Sequence, residues 1–294
     1  VLFAGACDAP QHVISSFPVT GTLTDERRTR VCVDVAPDLP VAGQLESALG
    51  VALGRPGGAA DLYIEASTAG CVLPALGPNG WGLTSAVLVG DVATARRALG
   101  GVDSASRMEA AGVSLRPARR ADIAAIVALN EREAIAAAPP GTSPRPASAA
   151  ARLSAILETA VDSPWGAWVF EREGRIEGWF RASSPSSPEW PGCAGFTVAF
   201  APVIRGCGLL SVAYAVALER LAREGVSRFR GATSQPAVLA VGARLGRTLV
   251  GFHARPGATL DLEHFGAESV GPRGRIRFPV AADCGRSGAY FKSG

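Results

Sequence analysis

The chain has 294 residues, 48% of them hydrophobic and 19% charged, which is enough apolar material for a buried core, enough length for about two domains, and too apolar a balance for a disordered chain. Its net charge of +3 is uneven, with 7 basic and 11 acidic side chains in residues 1–112 and 22 and 15 in residues 113–294. The excess suits an anionic small ligand but lacks the dense Lys/Arg blocks of a duplex-binding surface, so a nucleic-acid partner is not expected.

In chain order, strands are expected at residues 1–6, 12–20, 33–35 and 62–66, with a loop at 40–45. A short strand at 113–117 leads through Arg120-Ala121-Asp122 into a helix at 123–134, with Ile123, Ile126, Val127 and Asn130 at helical spacing and Asp122 as N-cap. A Pro-rich loop at 138–146 precedes a helix at 150–161. Strands at 166–171 and 175–182 flank a turn at Glu173-Gly174, and a Ser/Pro-rich excursion covers 183–192. A continuously apolar strand at 195–202 runs into Arg205-Gly206-Cys207-Gly208-Leu209-Leu210 and a helix at 209–224. A strand at 227–232, a helix at 235–245, and strands at 248–253 and 258–262 complete the pattern.

The sequence repeats itself. A shift of 165 positions aligns residues 33–55 with 198–220 without a gap, with ten identities in 23 pairs. Ala36-Pro37 followed by Gly43 matches Ala201-Pro202 followed by Gly208, outside any alanine-rich helix. Further on, Leu76-Gly77 and Gly82 match Leu245-Gly246 and Gly251. This reads as a duplication. The first copy keeps Gly43 but has Pro40 in place of the loop arginine, which removes an amide donor. It has no room for the strand and helices that open the second copy. Because Met108 is the only methionine, the natural protein is expected to extend upstream unless the half-domain is genuine.

A loop such as 205–210, between a buried strand and a helix start, gathers backbone N–H groups around one point where the helix dipole also favours an anion. Gly206 and Gly208 allow close approach of the backbone. Six cysteines without paired CxxC spacing, and three histidines, make no zinc signature. Reduced thiols, and hence a cytoplasmic protein, are expected, with no metal. No apolar run is long enough to span a bilayer, so no membrane association is expected.

The strand and loop from Val198 to Leu210, with Leu115-Arg-Pro-Ala-Arg-Arg-Ala-Asp-Ile as first strand and helix start, resemble the GCN5-related N-acetyltransferase superfamily over residues 113–262. The resemblance implies an α/β (α+β) fold of two tandem domains, each a mixed, mostly antiparallel sheet flanked by helices. The divisions would be a degenerate copy at 1–100, a linker at 101–112, the acyltransferase domain at 113–262 and an extension at 263–294. The layout is similar to tandem members such as mycothiol synthase and the tandem acetyltransferase of clavulanic acid biosynthesis. It implies acetyl-CoA as co-substrate, a small-molecule amine as acceptor, direct attack in a ternary complex and a place in specialised (antibiotic) metabolism. Coenzyme A would bind through Arg205, Gly206, Cys207, Gly208, Leu209 and Leu210, with its arm along Thr197, Val198, Ala199 and Phe200 as an added strand, in a slot opened by a splayed strand, and with Gln235 opening the next helix.

Three positions depart from the family pattern. Leu210 is bulkier than the usual Gly/Ala, Gln235 replaces a common Asn, and Gly242 stands where many members carry the tyrosine that protonates the departing thiolate. Tyr214 is the nearest tyrosine in sequence. No carboxylate lies on the strand at 195–202, which leaves Glu177 and His253 as candidate bases. Two alternatives remain open at this point: a CoA-binding module without catalysis, and an aminoacyl-tRNA-dependent transferase on the same fold.

Overall fold

The computed structural model describes residues 2–4, 12–20, 27–35, 61–66, 69–138, 148–186, 190–265, 268–270 and 275–277. The first half supplies β1 (Leu2–Ala4), β2 (His12–Thr20), β3 (Arg27–Val35), β4 (Asp61–Glu65), α1 (Ala69–Leu76) and β5 (Trp81–Asp91). Two short helices follow, α2 (Val92–Ala98) and α3 (Ser104–Ala111). Asp91 and Asp103 cap them by accepting from Thr94 N (2.7 Å) and Ser106 N (3.0 Å). The second half runs β6 (Ser114–Pro117), α4 (Ile123–Ala136), α5 (Ser148–Ala160), β7 (Trp168–Arg172), β8 (Arg175–Ala182), β9 (Cys193–Phe200), α6 (Leu209–Arg223), β10 (Arg228–Thr233), α7 (Pro236–Arg244) and β11 (Thr248–Pro256). β12 (Glu268–Val270) and β13 (Arg275–Arg277) pair separately.

The eleven other strands make one mixed, mostly antiparallel sheet in the order β1-β2-β3-β4-β11-β5-β10-β9-β8-β7-β6. Two pairs, β3/β4 and β9/β10, are parallel. At its centre the halves interdigitate: β5 lies between β10 and β11, and β11 between β4 and β5. The antiparallel β5/β11 pair, from Thr248↔Val89 to Pro256↔Trp81, is therefore the line about which the order β3-β4-β11 mirrors β9-β10-β5. Residues 36–55 of the aligned stretch lie outside the described residues, and two aligned pairs beyond it have comparable surroundings. Leu76 and Leu245 are buried at the ends of α1 and α7, and a Cβ at Gly82 or Gly251 would strike a neighbouring carbonyl.

Alternation along each strand sorts the core onto two faces. On the back face, α6 buries Leu209, Val212, Ala213, Tyr214, Ala217, Leu218 and Leu221 against Phe180, Ala194 and Phe229, and α1 packs Val72 and Leu76 near Phe252 and Ile64. On the front face, α4 and α5 present Ile126, Leu129, Leu153 and Leu157 to Val169, Trp179 and Ala201. Glu173 (φ 50) and Gly174 (φ 75) make the tight β7–β8 turn.

Two local expectations are corrected. Residues 258–262 make only a single bridge, Leu83↔Leu260, because β5 already occupies the inner edge of β11. Asp122 does not cap α4. It ends a 3₁₀ turn, accepting from Arg119 N (2.6 Å) and from Arg116 Nη1 and Nη2 (2.6 and 3.0 Å). The loops expected at 40–45 and 139–146 lie outside the described residues.

Arg116 also donates to Glu171 (2.8 Å), tying the start of α4 to β6 and β7. Its hydrogen bonds hold the Asp122 carboxyl below the usual range, against some burial that raises it. A lowered carboxyl stabilises the fold above its unfolded pKa near 3.9, and that stability is lost as pH falls through the folded value. Asp122→Asn is therefore expected to cost about 2 kcal/mol at pH 7. In denaturant titrations the gap from wild type should narrow below about pH 4.

Candidate active site

β9 and β10 pair only at their starts, Cys193↔Arg228, Ala194↔Phe229 and Gly195↔Arg230. β9 then continues to Phe200 along β8, and β10 to Thr233 along β5, so the strands diverge and a fork opens between them. Ser183 N→Gly195 O (2.8 Å) and Ala201 N→Glu177 O (2.7 Å) bracket the β8/β9 ladder. By antiparallel alternation the backbone groups of Thr197 and Ala199 turn to β8, while those of Phe196 and Val198 turn into the fork. An extended chain can pair there as a strand would.

Past the open end of the fork, Pro202–Ile204 makes a 3₁₀ turn, and Gly206 (φ 79) and Gly208 (φ 73) take left-handed conformations before α6. Arg205 N is committed to Pro202 O (3.2 Å), whereas the N–H groups of Gly206, Cys207 and Gly208 donate to no backbone carbonyl among the described residues. Cys207 Sγ turns back toward Arg205 O (3.7 Å). Three free amides at the start of a 15-residue helix make a place for an anion. Arg107, from α3, adds a charge by donating through Nη1 to Gly208 O (3.1 Å).

No protein-family model and no curated protein matches the sequence. Among solved structures, a GCN5-related N-acetyltransferase from Sphaerobacter thermophilus is similar over 83% of this chain and 78% of its own, at TM-score 0.50 and 16% identity. A functionally unknown conserved protein from Staphylococcus epidermidis is similar over 81% of this chain and 87% of its own, at TM-score 0.50 and 9% identity. The fold is that of the GCN5-related N-acetyltransferases.

Within this acetyltransferase fold the residues expected at the cofactor site gather along one path. Thr197, Val198, Ala199 and Phe200 lie on the diverging part of β9, residues 205–210 round its end, and Gln235 at the start of α7 across the fork. The expected bases are not brought together. Glu177 on β8 lies opposite Ala201, about 20 Å along β9 from the apex of the fork at Gly195. His253 on β11 is separated from β9 by β5 and β10, with its ring 5.7 Å from that of Tyr63.

Three residues escaped the sequence reading. Arg107 falls in the stretch expected to be a linker, which is helical and packs on α6. Glu133 is the buried carboxylate among the described residues; Arg205 and Arg132 pair with it. The signal was available, since Glu133 continues the stripe Ile123, Ile126, Leu129 and Asn130. Arg247 lies beneath the apex of the fork, 93% shielded by its 7% exposure. It donates to Tyr214 Oη (2.7 Å), Leu88 O (2.8 Å) and Gly231 O (3.4 Å), with its guanidinium 5.0 Å from the Phe229 ring. A Cβ at Gly242 would meet Leu88 Cδ1 at 3.0 Å and Arg247 Cδ at 3.7 Å, so Arg247 fills the space a larger side chain on α7 would take. Phe196 stacks on Tyr214 (4.2 Å) and closes the back of the fork.

The 470 Å³ cavity lined by Arg116, Asp122, Leu129, Arg132 and Arg175 opens at the outer edge, away from the fork. No helix among the described residues is long and apolar enough to cross a membrane, and no three metal-ligating side chains converge there.

Proposed function

We propose that the protein is an acetyl-CoA-dependent N-acyltransferase acting on a small amine, with the fork of the second half as its active site. The observation that carries this reading is the parallel β9/β10 pair that opens after Gly195 and ends in a glycine loop with free amides. The site suits the co-substrate in both parts: an anion cradle that any Cβ at Gly208 would fill, 2.5 Å from Arg107 Nη1, and an unpaired strand edge beside it. Gly206, Cys207 and Gly208 would hold the diphosphate, and Phe196 and Val198 the pantetheine amides. Bound acetyl-CoA supplies an acyl group activated as a thioester. The net change forms an N–C bond and breaks a C–S bond, with one proton leaving the amine and one reaching the sulfur.

The chain's own residues divide that work. Arg247 and Tyr214 stand where the missing tyrosine of α7 would act. Burial raises the Tyr214 phenol above its ordinary value of 10, opposed by the Arg247 charge, so it keeps its proton through neutral pH. Glu133 is neutralised by two arginines and serves to hold Arg205 against the end of β9, where Arg205 Nε bonds Phe200 O (3.0 Å). With neither Glu177 nor His253 at the apex, the amine enters uncharged and loses its proton to water. We also read the chain as two copies of one unit that exchange β5 and β11 across the seam, the first copy not catalytic.

A CoA-binding module without turnover is the second reading, favoured by the absence of an unpaired buried carboxylate beside the fork among the described residues. Calorimetry of the full chain with acetyl-CoA should show one site, and thiol release across a panel of amines should show turnover. No binding refutes both readings, and binding without turnover leaves the module. Arg107→Ala should weaken acetyl-CoA about tenfold and flatten its salt dependence, because it removes one cation from the diphosphate loop.

A further inference from the structure

The back of the fork is closed by the half-buried Phe196 and the buried Tyr214, Phe229 and Arg247. An acceptor must therefore reach the apex across the front face, where Thr197 is exposed on β9. Directly opposite Thr197 on β8, in register, is Arg181. It is half-buried, and its Nε is buried with no hydrogen-bond partner. No carboxylate pairs with it among the described residues, and burial pushes its guanidinium below the ordinary range. Arg220, Arg230, Arg247 and Arg255 also bury an unpartnered Nε, but each has another partner, as Arg247 has in Leu88 O and Arg220 in Glu224 at 3.1 Å.

A second unmet donor lies on the same face. Trp190 ends the β8–β9 excursion and folds over the centre of the sheet, 5.6 Å from the Tyr63 ring and 5.7 Å from the Arg230 guanidinium. Its Nε1 is buried without a partner. Arg230 pairs with Gly195, two residues along β9 from Thr197, so Arg181 stands opposite the mouth of the fork, while the indole shares the front face farther along, between Arg230 and Tyr63 of β4. Desolvating a guanidinium with no counter-charge is costly, and a site that leaves such donors unmet is complementary to an anion with acceptor oxygens. One guanidinium without a counter-charge balances a single negative charge in a planar group, which is a carboxylate, better than a dianionic phosphate.

Resting on the acyltransferase reading, we infer that the acceptor is an amine that also carries a carboxylate, held by Arg181 while its nitrogen reaches the apex of the fork. Arg181 determines specificity and takes no part in proton transfer.

The test uses the full chain, acetyl-CoA, and the common amino acids, each beside its own carboxamide. Thiol release is measured for each pair, and calorimetry measures acetyl-CoA affinity separately. The expected result is at least one pair in which the acid is preferred by about tenfold to a hundredfold in kcat/KM. In Arg181→Met that preference should collapse through KM while acetyl-CoA affinity stays within about twofold, and Arg181→Lys should recover part of it. Equal rates within every pair, a preference for the amides, or an acid preference that survives Arg181→Met would each overturn the inference. If acetyl-CoA binds and amines turn over, such a result removes only the carboxylate. If acetyl-CoA does not bind, the acyltransferase reading falls and takes the inference with it.

Discussion

Gly208→Val should lose acetyl-CoA affinity by at least about a hundredfold, equivalent to about 2.7 kcal/mol. Two independent effects add at this position. Gly208 holds φ 73, where a β-branched side chain is strained. Its Cβ would also stand 2.5 Å from Arg107 Nη1, so the arginine must leave the carbonyl it now holds. Both changes fall on the amides proposed to face the diphosphate. Gly206→Ala is the informative partner, because Gly206 has φ 79 but nothing within 4 Å of its Cβ. It carries the strain without the collision and should lose about tenfold. Calorimetry on both variants, with thermal melts to confirm folding, decides the matter. An affinity within threefold of wild type for Gly208→Val would remove the phosphate role of the loop.

Tyr214→Phe should lower kcat about a hundredfold while leaving the KM for acetyl-CoA nearly unchanged. Among the described residues the hydroxyl is the one phenol bonded beneath the fork, and its loss strips Arg247 Nη1 of its 2.7 Å partner. Some stability goes with it, about 1 to 3 kcal/mol for an unmet buried donor. Arg247→Met should lower kcat at least as far, and the double variant little further, since the two act as one unit. The pH dependence supplies a control. A phenol whose folded pKa is raised stabilises the fold fully below its unfolded value near 10, and the contribution fades as pH climbs toward the folded value. Wild type should therefore lose stability above about pH 10 more steeply than Tyr214→Phe. A variant with full kcat would show that the buried pair only packs.

The elements were legible where local rules decide them. The glycine loop before α6 stood out because Gly206 and Gly208 precede an amphipathic run that begins at Leu209, and the repeat stood out because Ala-Pro and a glycine recur outside helices. Boundaries moved by a residue or two, as with β9, which begins at Cys193 and stops at Phe200. Tertiary partners stayed hidden. Nothing in the pattern of residues 81–91 says that this strand crosses into the other half, because a strand buried on both sides reads alike whichever neighbours it has. For the same reason residues 258–262 were read as a strand for an edge already occupied. At the site, Arg107 and Arg247 lie on a short helix and in a turn. There an arginine is ordinarily solvated, and only the packed fold turns them inward. Arg181 was passed over because every second residue of a strand is free to face water.

The seam between the halves also sets an order of events during synthesis. β5 leaves the ribosome well before β10 and β11, the two strands that flank it. At ordinary elongation rates it waits roughly 10 to 30 s with both edges unpaired. Val87, Leu88 and Val89, all buried in the finished sheet, are then an apolar edge open to any strand that arrives first. Slow production of the second half should favour aggregation or exchange between nascent chains, and a half made alone would lack the central strand it receives from the other. β10, one arm of the fork, is thus backed by a strand made in the first third of the chain.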